Sequence, residues 1–337
     1  MDSSLKILEV PNELVEFIEN CSNFVIAGHK EPDGDCVGSQ LALRSALMRM
    51  GKKVIVCKSS PFKRKELKKF EELFVSIPAE EFERQGWQPK ETRVIIIDCT
   101  GRERTGEIQG FIEKFPCAII DHHAAVTYPS STKDAPVYND AKSPSCTLLI
   151  QKLITALDLD VTEEEASLLL FGLCTDTGFF RHLNENNAAS FEAAANMIRC
   201  GASPKKIYGI TNGGKSLNSR ILIGHILTRL ESHFDGKLLL STETLEESDT
   251  FGLEGRDSDA LYQMILTIEG VEAALIIRQE SAENCTVSLR STDKIDVSQV
   301  AAIYGGGGHK NASGLTMKGD ISSVKEKMLK SFKNIFT

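Results

Sequence analysis

The chain has 337 residues, of which 41% are hydrophobic and 26% are charged, as in ordinary soluble proteins with about two domains. The net charge of −8 argues against a protein that lies along a long nucleic acid duplex, and no apolar run approaches the roughly 20 residues that cross a bilayer. Nine cysteines without a Cys-x-x-Cys pair, and an N-terminal segment that lacks the basic and apolar parts of a secretory signal, predict a reduced protein of the cytoplasm.

Strands and helices are predicted to alternate through the first 200 residues. A short helix at 11–21 precedes an apolar run at 23–29, which is typical of a buried parallel strand, and a second helix runs from about 34 to 51. Further strands are predicted at 52–58, 93–99 and 116–123, and further helices at 145–157, 162–174 and 187–200. This alternation predicts an α/β catalytic domain over 1–200, with a mostly parallel sheet flanked by helices.

A smaller α/β domain is predicted over 217–337. Residues 201–216 combine Gly, Pro and Asn with little amphipathic pattern and are predicted as a linker that contains some helix. Beyond this linker we expect strands at 236–242 and 271–280, a sheet-edge strand at 285–292, and helices at 296–304 and 321–335. We expect a cleft between the two domains.

Four clusters of acidic and histidine residues follow apolar runs. They contain His29, Asp33, Asp35, Asp98, Asp121, His122, His123 and Asp176. In parallel sheets ligands bind beyond the carboxyl ends of the strands, where the first three clusters fall. Carboxylates and imidazoles suit Mn²⁺ or Mg²⁺, whereas thiolate clusters would suit zinc. One such cluster alone is more often a turn or a helix cap, but four in this order predict a two-metal phosphoester hydrolase.

The spacing of these residues suggests which of them would bind each of two ions. Asp33 and Asp35 flank a single glycine, so their carboxylates can diverge toward two neighbouring ions. Asp98 ends another strand and could bridge both ions, while His122 and Asp176 would complete the second site.

The same motifs resemble those of the DHH phosphoesterase superfamily. The resemblance is carried by GHKEPDGDCVGS, VIIIDCT, IIDHH and GLCTDTGFFRH, which begin at residues 28, 94, 119 and 172. The C-terminal SLRST, IDVSQVA and GGGGHKNASG resemble the DHH-associated substrate-binding domain. Within the superfamily the chain is most similar to the bacterial nanoRNase and phosphoadenosine-phosphate (PAP) phosphatase group and to phosphodiesterases that act on linear pApA.

The resemblance implies a role for each cluster residue. Two Mn²⁺ ions would be bound, with Mg²⁺ or Co²⁺ as alternatives, one by His29, Asp33 and Asp98 and the other by Asp35, Asp98, His122 and Asp176. Asp121 would orient its neighbours. His123 would lie beside the scissile phosphate as an electrophilic contact or a general acid. Arg104 matches a family arginine, although a solvated loop charge explains it equally well.

The C-terminal glycine run predicts a substrate contact. Four successive glycines let the backbone approach an anion closely and supply N–H donors. By resemblance, Gly306, Gly307, His309 and Ser313 would contact the terminal phosphate or base of the substrate. Arg290 would offer a bidentate fork to phosphate.

These features predict an Mn²⁺-dependent phosphodiesterase or exoribonuclease that hydrolyses very short oligonucleotides to mononucleotides. We expect a short single-stranded RNA or DNA or a linear dinucleotide as substrate, and neither long nucleic acid nor a membrane as partner. A phosphatase acting on PAP and a cyclic-dinucleotide phosphodiesterase are alternative enzymes. A catalytically inactive nucleotide-binding module is the alternative of another class. The sequence leaves open whether the chain forms a homodimer.

Overall fold

The computed structural model describes residues 8–124, 136–252 and 256–336. By its internal contacts the chain divides into two compact units, Met1–Gly213 and Gly214–Thr337. The boundary falls inside the segment 201–216 that the sequence marks as a linker.

A five-stranded sheet forms the centre of the first unit. Its strands are β1 Asn23–Ala27, β2 Lys53–Cys57, β3 Thr92–Ile97, β4 Cys117–Asp121 and β5 Val137–Asn139. The strand order is β2-β1-β3-β4-β5, and every pairing is parallel. Residues of β1 and β4 are buried along their whole length, as continuous apolar runs predict for strands covered on both faces.

Helices cover both faces of this sheet. They are α1 Asn12–Glu19, α2 Gly34–Arg49, α3 Pro78–Arg84, α4 Gln109–Ile112, α5 Cys146–Ala156, α6 Glu163–Asp176, α7 Ala188–Arg199 and α8 Pro204–Asn212, with 3-10 helices at Lys65–Leu73, Pro89–Glu91 and Arg102–Ile108. One large apolar cluster joins α2, α5 and α6 to one face, and a second cluster around Trp87 and Phe115 covers the other. A Cβ on Gly38 would lie 2.6 Å from the Leu168 carbonyl oxygen, so this glycine allows α2 and α6 to pack closely.

The second unit is a mixed sheet with helices. Its elements are α9 Leu217–Thr228, β6 Glu231–His233, β7 Leu238–Glu243, α10 Leu245–Phe251, α11 Ser258–Leu266, β8 Ala273–Ser281, β9 Asn284–Ser291, α12 Val297–Ile303, β10 Gly307–His309, β11 Ala312–Lys318 and α13 Ile321–Phe336. The strand order is β10-β11-β9-β8-β7-β6, and β7 with β8 is the parallel pair. Its two apolar clusters are built from residues of this unit.

The prediction of an edge strand at 285–292 is wrong. β9 lies inside the sheet, between β8 and β11. Its alternate residues are fully buried while the others are partly exposed, so the alternating pattern reports the two faces of the strand and not its position. The two edges are instead formed by β6 and by β10, which the glycine run supplies.

The predicted fold class is confirmed: a mostly parallel sheet flanked by helices, followed by a smaller α/β unit. Among the helices that the structure describes, none is both long and apolar enough to cross a membrane.

Candidate active site

The predicted ligands of the first unit gather at the carboxyl edge of its sheet. His29 follows β1, Asp98 follows β3, and Asp121 ends β4 with His122 next to it. β1, β3 and β4 are neighbours in the sheet, and β2 and β3 leave β1 on opposite sides. Such a reversal of strand order opens a crevice at the strand ends, which is where ligands bind in this kind of sheet.

Asp98 occupies the centre of the site. Its side chain is 2% exposed, and its backbone φ of 60° lies in the left-handed region that residues other than glycine rarely adopt. Aspartate tolerates this region better than most residues do. The Asp98 N–H still donates to the Ile120 carbonyl at 2.9 Å, so the sheet holds the residue at the point where the chain leaves β3.

Three imidazoles lie near the Asp98 carboxylate, and His123 Nδ1 is 3.7 Å from Oδ1. His29 Nε2 lies 3.6 Å from Oδ2, and His122 Nε2 lies 3.3 Å from Oδ1. His122 Nε2 is also 3.5 Å from Asp176 Oδ2 and 3.7 Å from Asp35 Oδ2. Asp98 is therefore placed between two groups of donor atoms, as a bridging carboxylate would be.

The ring of His122 is fixed by a backbone group. Its Nδ1 lies 3.2 Å from the Ser143 carbonyl oxygen, which can only accept a hydrogen bond. Nδ1 therefore carries the proton, and Nε2 is the nitrogen that faces the carboxylates. A partner at the far ring nitrogen is the usual way in which a ligating histidine is oriented.

Asp35 joins the site to α5. Its side chain is 1% exposed, with Oδ2 accepting from the Cys146 N–H at 2.5 Å and Oδ1 from the Thr147 N–H at 2.9 Å. These N–H groups belong to the first turn of α5, where backbone donors have no partner within the helix and the helix dipole favours an anion.

Asp33 lies at the same edge but is engaged differently. It is the N-cap of α2, and its Oδ1 accepts from the Asp35 and Cys36 N–H groups, both at 3.1 Å. In the described part of the chain, the donor atoms grouped within 4.8 Å at the first predicted ion are those of His29, Cys36 and Asp98. The structure thus brings Cys36 into this group and leaves Asp33 beside it.

Asp121 orients both histidines of the Asp-His-His motif. Its Oδ1 accepts from the His122 N–H at 2.8 Å, from the His123 N–H at 3.2 Å and from His123 Nδ1 at 2.8 Å. Asp121 is fully buried, whereas the side chain of His123 is 43% exposed. His123 therefore presents its Nε2 as the ring nitrogen that an incoming molecule can reach.

The pKa values of these groups reflect the negative charge that is concentrated here. Burial, together with the charge of Asp98, raises the pKa of Asp35 well above its ordinary range, and burial raises the pKa of Asp176 to about 6. Burial alone would lower the pKa of His122, but the surrounding carboxylates, Asp98 foremost, raise it to about 10. In the absence of cations, protons on these three groups therefore neutralise part of the negative charge that bound cations would otherwise neutralise.

The pKa values of Asp98 and His123 are shifted toward their charged forms. Burial would raise the pKa of Asp98, yet interactions with His122 and His29 hold it below its ordinary value. The hydrogen bond to Asp121 raises the pKa of His123.

The donor set fits a pair of divalent cations. Among the described residues, Asp98 Oδ1 and Asp121 Oδ2 are buried oxygens that accept no hydrogen bond of good geometry. Buried oxygens of this kind are rare unless an ion or water satisfies them. The mixture of carboxylate oxygens and imidazole nitrogens suits Mn²⁺ and related ions.

Arg104 lies in the 3-10 helix Arg102–Ile108, which adjoins the first histidine. Its carbonyl accepts from the Lys30 N–H at 2.9 Å, which ties the segment after β3 to the residue after His29. Its side chain is exposed. This helix is therefore close to the site, and the contact of the guanidinium with a substrate stays a prediction.

The predicted substrate residues of the second unit lie on three neighbouring strands. Ala312 of β11 is flanked by Arg290 of β9 and His309 of β10, so these two side chains share one face of the sheet about 10 Å apart, or two strand spacings. The Arg290 guanidinium lies 5.0 Å from the centre of the Tyr262 ring.

The glycines and Ser313 shape this hairpin. A Cβ on Gly306 would lie 2.4 Å from the Gly314 carbonyl oxygen, so the chain can pass there only as glycine. Gly307 pairs with Gly314 and leaves its surroundings open. Ser313 is buried and its hydroxyl donates to the His309 carbonyl at 2.8 Å, which places that hydroxyl within the hairpin.

Comparison with known proteins identifies the family. Residues 23–173 match the DHH family, N-terminal domain, and residues 235–337 match the DHHA1 domain. The chain is 30% identical over 315 residues to the bifunctional oligoribonuclease and PAP phosphatase NrnA of Thermus thermophilus, covering 93% of this chain and 90% of that protein. The chain belongs to the DHH family. It is a phosphoester hydrolase.

Solved structures agree with this DHH fold. An exopolyphosphatase-related protein from Bacteroides fragilis superposes with a TM-score of 0.78 at 24% identity, covering 96% of both chains. RecJ from Thermus thermophilus in complex with Mn²⁺ superposes with a TM-score of 0.51 at 15% identity, covering 99% of this chain and 56% of RecJ.

Sequence reasoning missed the backbone groups that hold the DHH site. The Ser143 carbonyl orients His122, and the Cys146 and Thr147 N–H groups bind Asp35. The positions of backbone groups cannot be read from residue types. The available signal was indirect, because Ser143-Pro144-Ser145 is typical of the start of a helix. The first turn of a helix has N–H donors without a partner in the helix.

Proposed function

We propose that this DHH enzyme is an Mn²⁺-dependent phosphodiesterase that hydrolyses very short oligonucleotides, including linear dinucleotides such as pApA, to mononucleotides. The observation that carries the proposal is the position of Asp98, buried between His29 at one carboxylate oxygen and His122 at the other. A carboxylate placed in this way suits two adjacent cations, and two-cation sites are the common solution for phosphoester hydrolysis.

The residues divide into two ligand groups that share Asp98. His29, Asp33 and Asp98 would hold the first cation, with Cys36 near it, and Asp35, Asp98, His122 and Asp176 would hold the second. When bound, such cations activate water, polarise the phosphorus centre and neutralise negative charge in the transition state. Mixed nitrogen and oxygen donors favour Mn²⁺, which is also the ion in the RecJ structure of the same fold.

His123 supplies the proton for the leaving group. Its Nδ1 donates to Asp121, and this hydrogen bond raises its pKa, so the ring holds a proton at Nε2 in more of the neutral pH range. An exposed, protonated Nε2 next to the ligand group can donate to the departing ribose oxygen.

The second unit would select short substrates. Arg290 and His309 share a face beside the glycine hairpin, an arrangement that suits a terminal phosphate. The net charge of −8 gives no support for binding along a long strand. All nine cysteines are free, which supports a reducing cytoplasm as the place of the reaction.

A PAP phosphatase activity is the second candidate. It is supported by the name of the Thermus relative, a bifunctional oligoribonuclease and PAP phosphatase, which matches nearly all of this chain. Cleavage of a cyclic dinucleotide is the third candidate that an assay should include.

A substrate panel with Mn²⁺ tests the proposal. Purified protein would be given pApA, pGpG, a pentamer RNA, cyclic di-AMP and PAP in separate reactions, and products would be followed by chromatography. We expect kcat/KM to be highest for pApA or another linear substrate. Faster turnover of PAP or cyclic di-AMP than of every linear substrate would contradict the preference that we propose.

The Asp98→Asn variant tests the role of the central carboxylate. Asparagine keeps the shape of the side chain and tolerates the left-handed backbone, but it cannot bridge two cations as a carboxylate does. We expect a loss of at least about 1,000-fold in kcat/KM, with the thermal midpoint of the metal-free protein unchanged or lower, because the two imidazoles lose a charged partner. Full activity of the variant would exclude the bridging role.

A further inference from the structure

The segment that follows Asp176 has an unusual backbone. Gly178, Phe179 and Phe180 have φ values of 56°, 59° and 71°, three consecutive residues in the left-handed region. Bulky aromatic residues there are genuine outliers, and each costs of the order of 1–3 kcal/mol unless the surrounding structure enforces it. Backbone strain of this kind is concentrated at functional sites.

Packing and hydrogen bonds hold the turn in this conformation. The ring of Phe179 lies 5.2 Å from that of Tyr208 on α8, and the ring of Phe180 stacks on Phe191 of α7 at 5.2 Å. The Thr177 hydroxyl accepts from the Phe180 N–H at 3.0 Å, and the Thr177 carbonyl accepts from the His182 N–H at 3.1 Å. The chain is thereby folded back on itself two residues after a predicted metal ligand.

This reversal brings a guanidinium and an imidazole over Gly178. Arg181 Nε donates to the Gly178 carbonyl at 2.8 Å. A Cβ on Gly178 would lie 2.5 Å from His182 Nε2 and 3.1 Å from Arg181 Nη2, so both side chains occupy the space that only glycine leaves free. The Arg181 side chain is folded against the turn, although it remains exposed.

Arg181 has no acidic partner among the described residues. This is unexpected, because Asp176 is close in the chain and the carboxylates of Asp33 and Asp98 are near Asp176 in the fold. The Nε atom is used for the turn, which leaves the two terminal nitrogens of the guanidinium for an anion from outside the chain. Arginine matches phosphate oxygens with such a pair of parallel N–H donors.

We propose that Arg181 binds a phosphate group of the substrate beside the metal centre, and that the left-handed turn at 178–180 exists to aim it there. The inference rests on the proposed function, because it takes a phosphodiester as substrate. The phosphate is either the scissile group or the neighbouring terminal phosphate, and both have the chemistry that the guanidinium would recognise.

The test compares Arg181→Ala with the wild-type enzyme on pApA and on ApA, which lacks the terminal phosphate. We expect KM for pApA to rise about ten-fold, as for the loss of one charge-assisted hydrogen-bonding group, with kcat changed far less. An equal rise in KM for ApA would assign the scissile phosphate, and a rise limited to pApA would assign the terminal one. An unchanged KM for both substrates would overturn the proposal.

Further variants separate binding from folding. Arg181→Lys should restore part of the affinity, because it keeps the charge but not the planar fork. Gly178→Ala should raise KM as Arg181→Ala does, because its Cβ would displace both side chains. Arg199→Ala is the matched control: Arg199 is an exposed arginine on α7 that contacts Asn196, and its loss should leave KM unchanged.

Two readouts keep this inference separate from the function on which it rests. The Mn²⁺ affinity and the thermal midpoint of Arg181→Ala should equal those of the wild type, since neither a ligand nor a core contact is removed. If wild-type protein does not hydrolyse pApA, ApA or longer oligonucleotides, the proposed function fails. If wild-type protein does so and Arg181→Ala matches it in KM, only the role of Arg181 fails.

Discussion

Asp121 acts on its two histidine neighbours through one oxygen atom. Oδ1 receives both backbone N–H groups and the His123 ring, while Oδ2 is buried and accepts no hydrogen bond from the described residues. The carboxylate thus fixes the geometry of the motif and sets the protonation of His123 at the same time.

Replacing Asp121 by asparagine should shift the pH profile. The amide oxygen of the new side chain can still accept the N–H groups, but the negative charge that raises the pKa of His123 is lost. The pKa of His123 should fall, so the alkaline limb of kcat/KM should move to lower pH. A pH–rate profile from pH 5 to about 10 measures this shift.

As a control, Asp140→Asn removes a buried carboxylate that, among the described residues, accepts from backbone N–H groups. An unmoved alkaline limb in Asp121→Asn would exclude His123 as the acid.

Metal binding should release a proton from His122. Its pKa of about 10 means that the metal-free ring is charged at neutral pH, whereas a ligating imidazole must be neutral. The Mn²⁺ affinity should therefore rise with pH, by about ten-fold per pH unit for one released proton, until the pH passes about 10. Titration calorimetry at pH 8 in buffers of different ionisation enthalpy should report at least one proton released per chain.

A histidine outside the predicted ligand set provides the comparison. His225 lies in the second unit and pairs with Glu247 at 3.0 Å, so His225→Gln should leave the proton release unchanged. The absence of proton release in the wild type at pH 8 would contradict the charged state of His122.

Helix α6 has a hydrogen-bonded cap at its first turn and a predicted metal ligand at its last residue. Thr162 and Glu165 form a reciprocal capping box at its first turn, and its last residue is Asp176. Glu165 is also bound by Arg49 of α2 through two hydrogen bonds of 3.1 and 3.0 Å. The start of α6 is thus fixed by local and tertiary contacts, which keeps its last turn in position.

Thr162→Ala should destabilise the protein without affecting catalysis. The loss of the N-cap hydroxyl should cost about 1 kcal/mol of unfolding free energy, because one orphan N–H of the first turn loses its partner. Urea denaturation measures this change, and kcat/KM should stay within about two-fold since the cap lies at the far end of the helix from Asp176. Thr155→Ala, which removes a hydroxyl from the α5 surface, should change stability by less than about 0.5 kcal/mol. Equal stability of the two variants would show that the cap does not matter.

Most of the long periodic elements could be predicted from the sequence, and the shortest ones could not. The strands β1 to β4 come from continuous apolar runs, and α5, α6 and α7 from helical spacing, so their positions agree with the predictions within a few residues. β5, β6 and β10 have three residues each, too few to show any period. α9, α10 and α11 were also missed, although α11 carries the buried residues Leu261, Tyr262 and Ile265 at helical spacing.

The candidate site, like the fold, could be predicted in part from the sequence. Order along the chain was enough to propose that His29, Asp98 and His122 meet, because parallel strands bring their carboxyl ends to one edge. The sequence left open whether Asp33 is used as a helix cap, and it could not show that Cys36 is close to His29 and Asp98 or that Ser313 bonds within its own hairpin. Those outcomes depend on side-chain directions, which the fold decides.

The two units each have their own apolar cores. Two clusters are built from residues of 1–213 and two from residues of 214–337. All of the predicted metal ligands lie in the first unit, and the glycine hairpin lies in the second. The predicted division of labour, cleavage by one unit and grip by the other, can therefore be tested by separating them.

A fragment of residues 1–213 should fold and bind Mn²⁺ with an affinity within about three-fold of the full chain, because its cores and ligands are intact. Its KM for pApA should rise by at least about ten-fold, since Arg290 and His309 are missing. Calorimetry and steady-state kinetics of the fragment measure both effects. Loss of Mn²⁺ binding in a folded fragment, or an unchanged KM, would contradict this division.

The bonding of Asp35 to α5 has a consequence for how the empty enzyme behaves. One carboxylate serves both the first turn of α5 and the predicted second cation, so occupancy of the cation site and order in that turn are thermodynamically linked. Filling the site should slow hydrogen exchange at the Cys146 and Thr147 amides, and stripping the ion with a chelator should speed it. The start of α5 would then serve as a built-in reporter of metal loading that can be followed without any substrate.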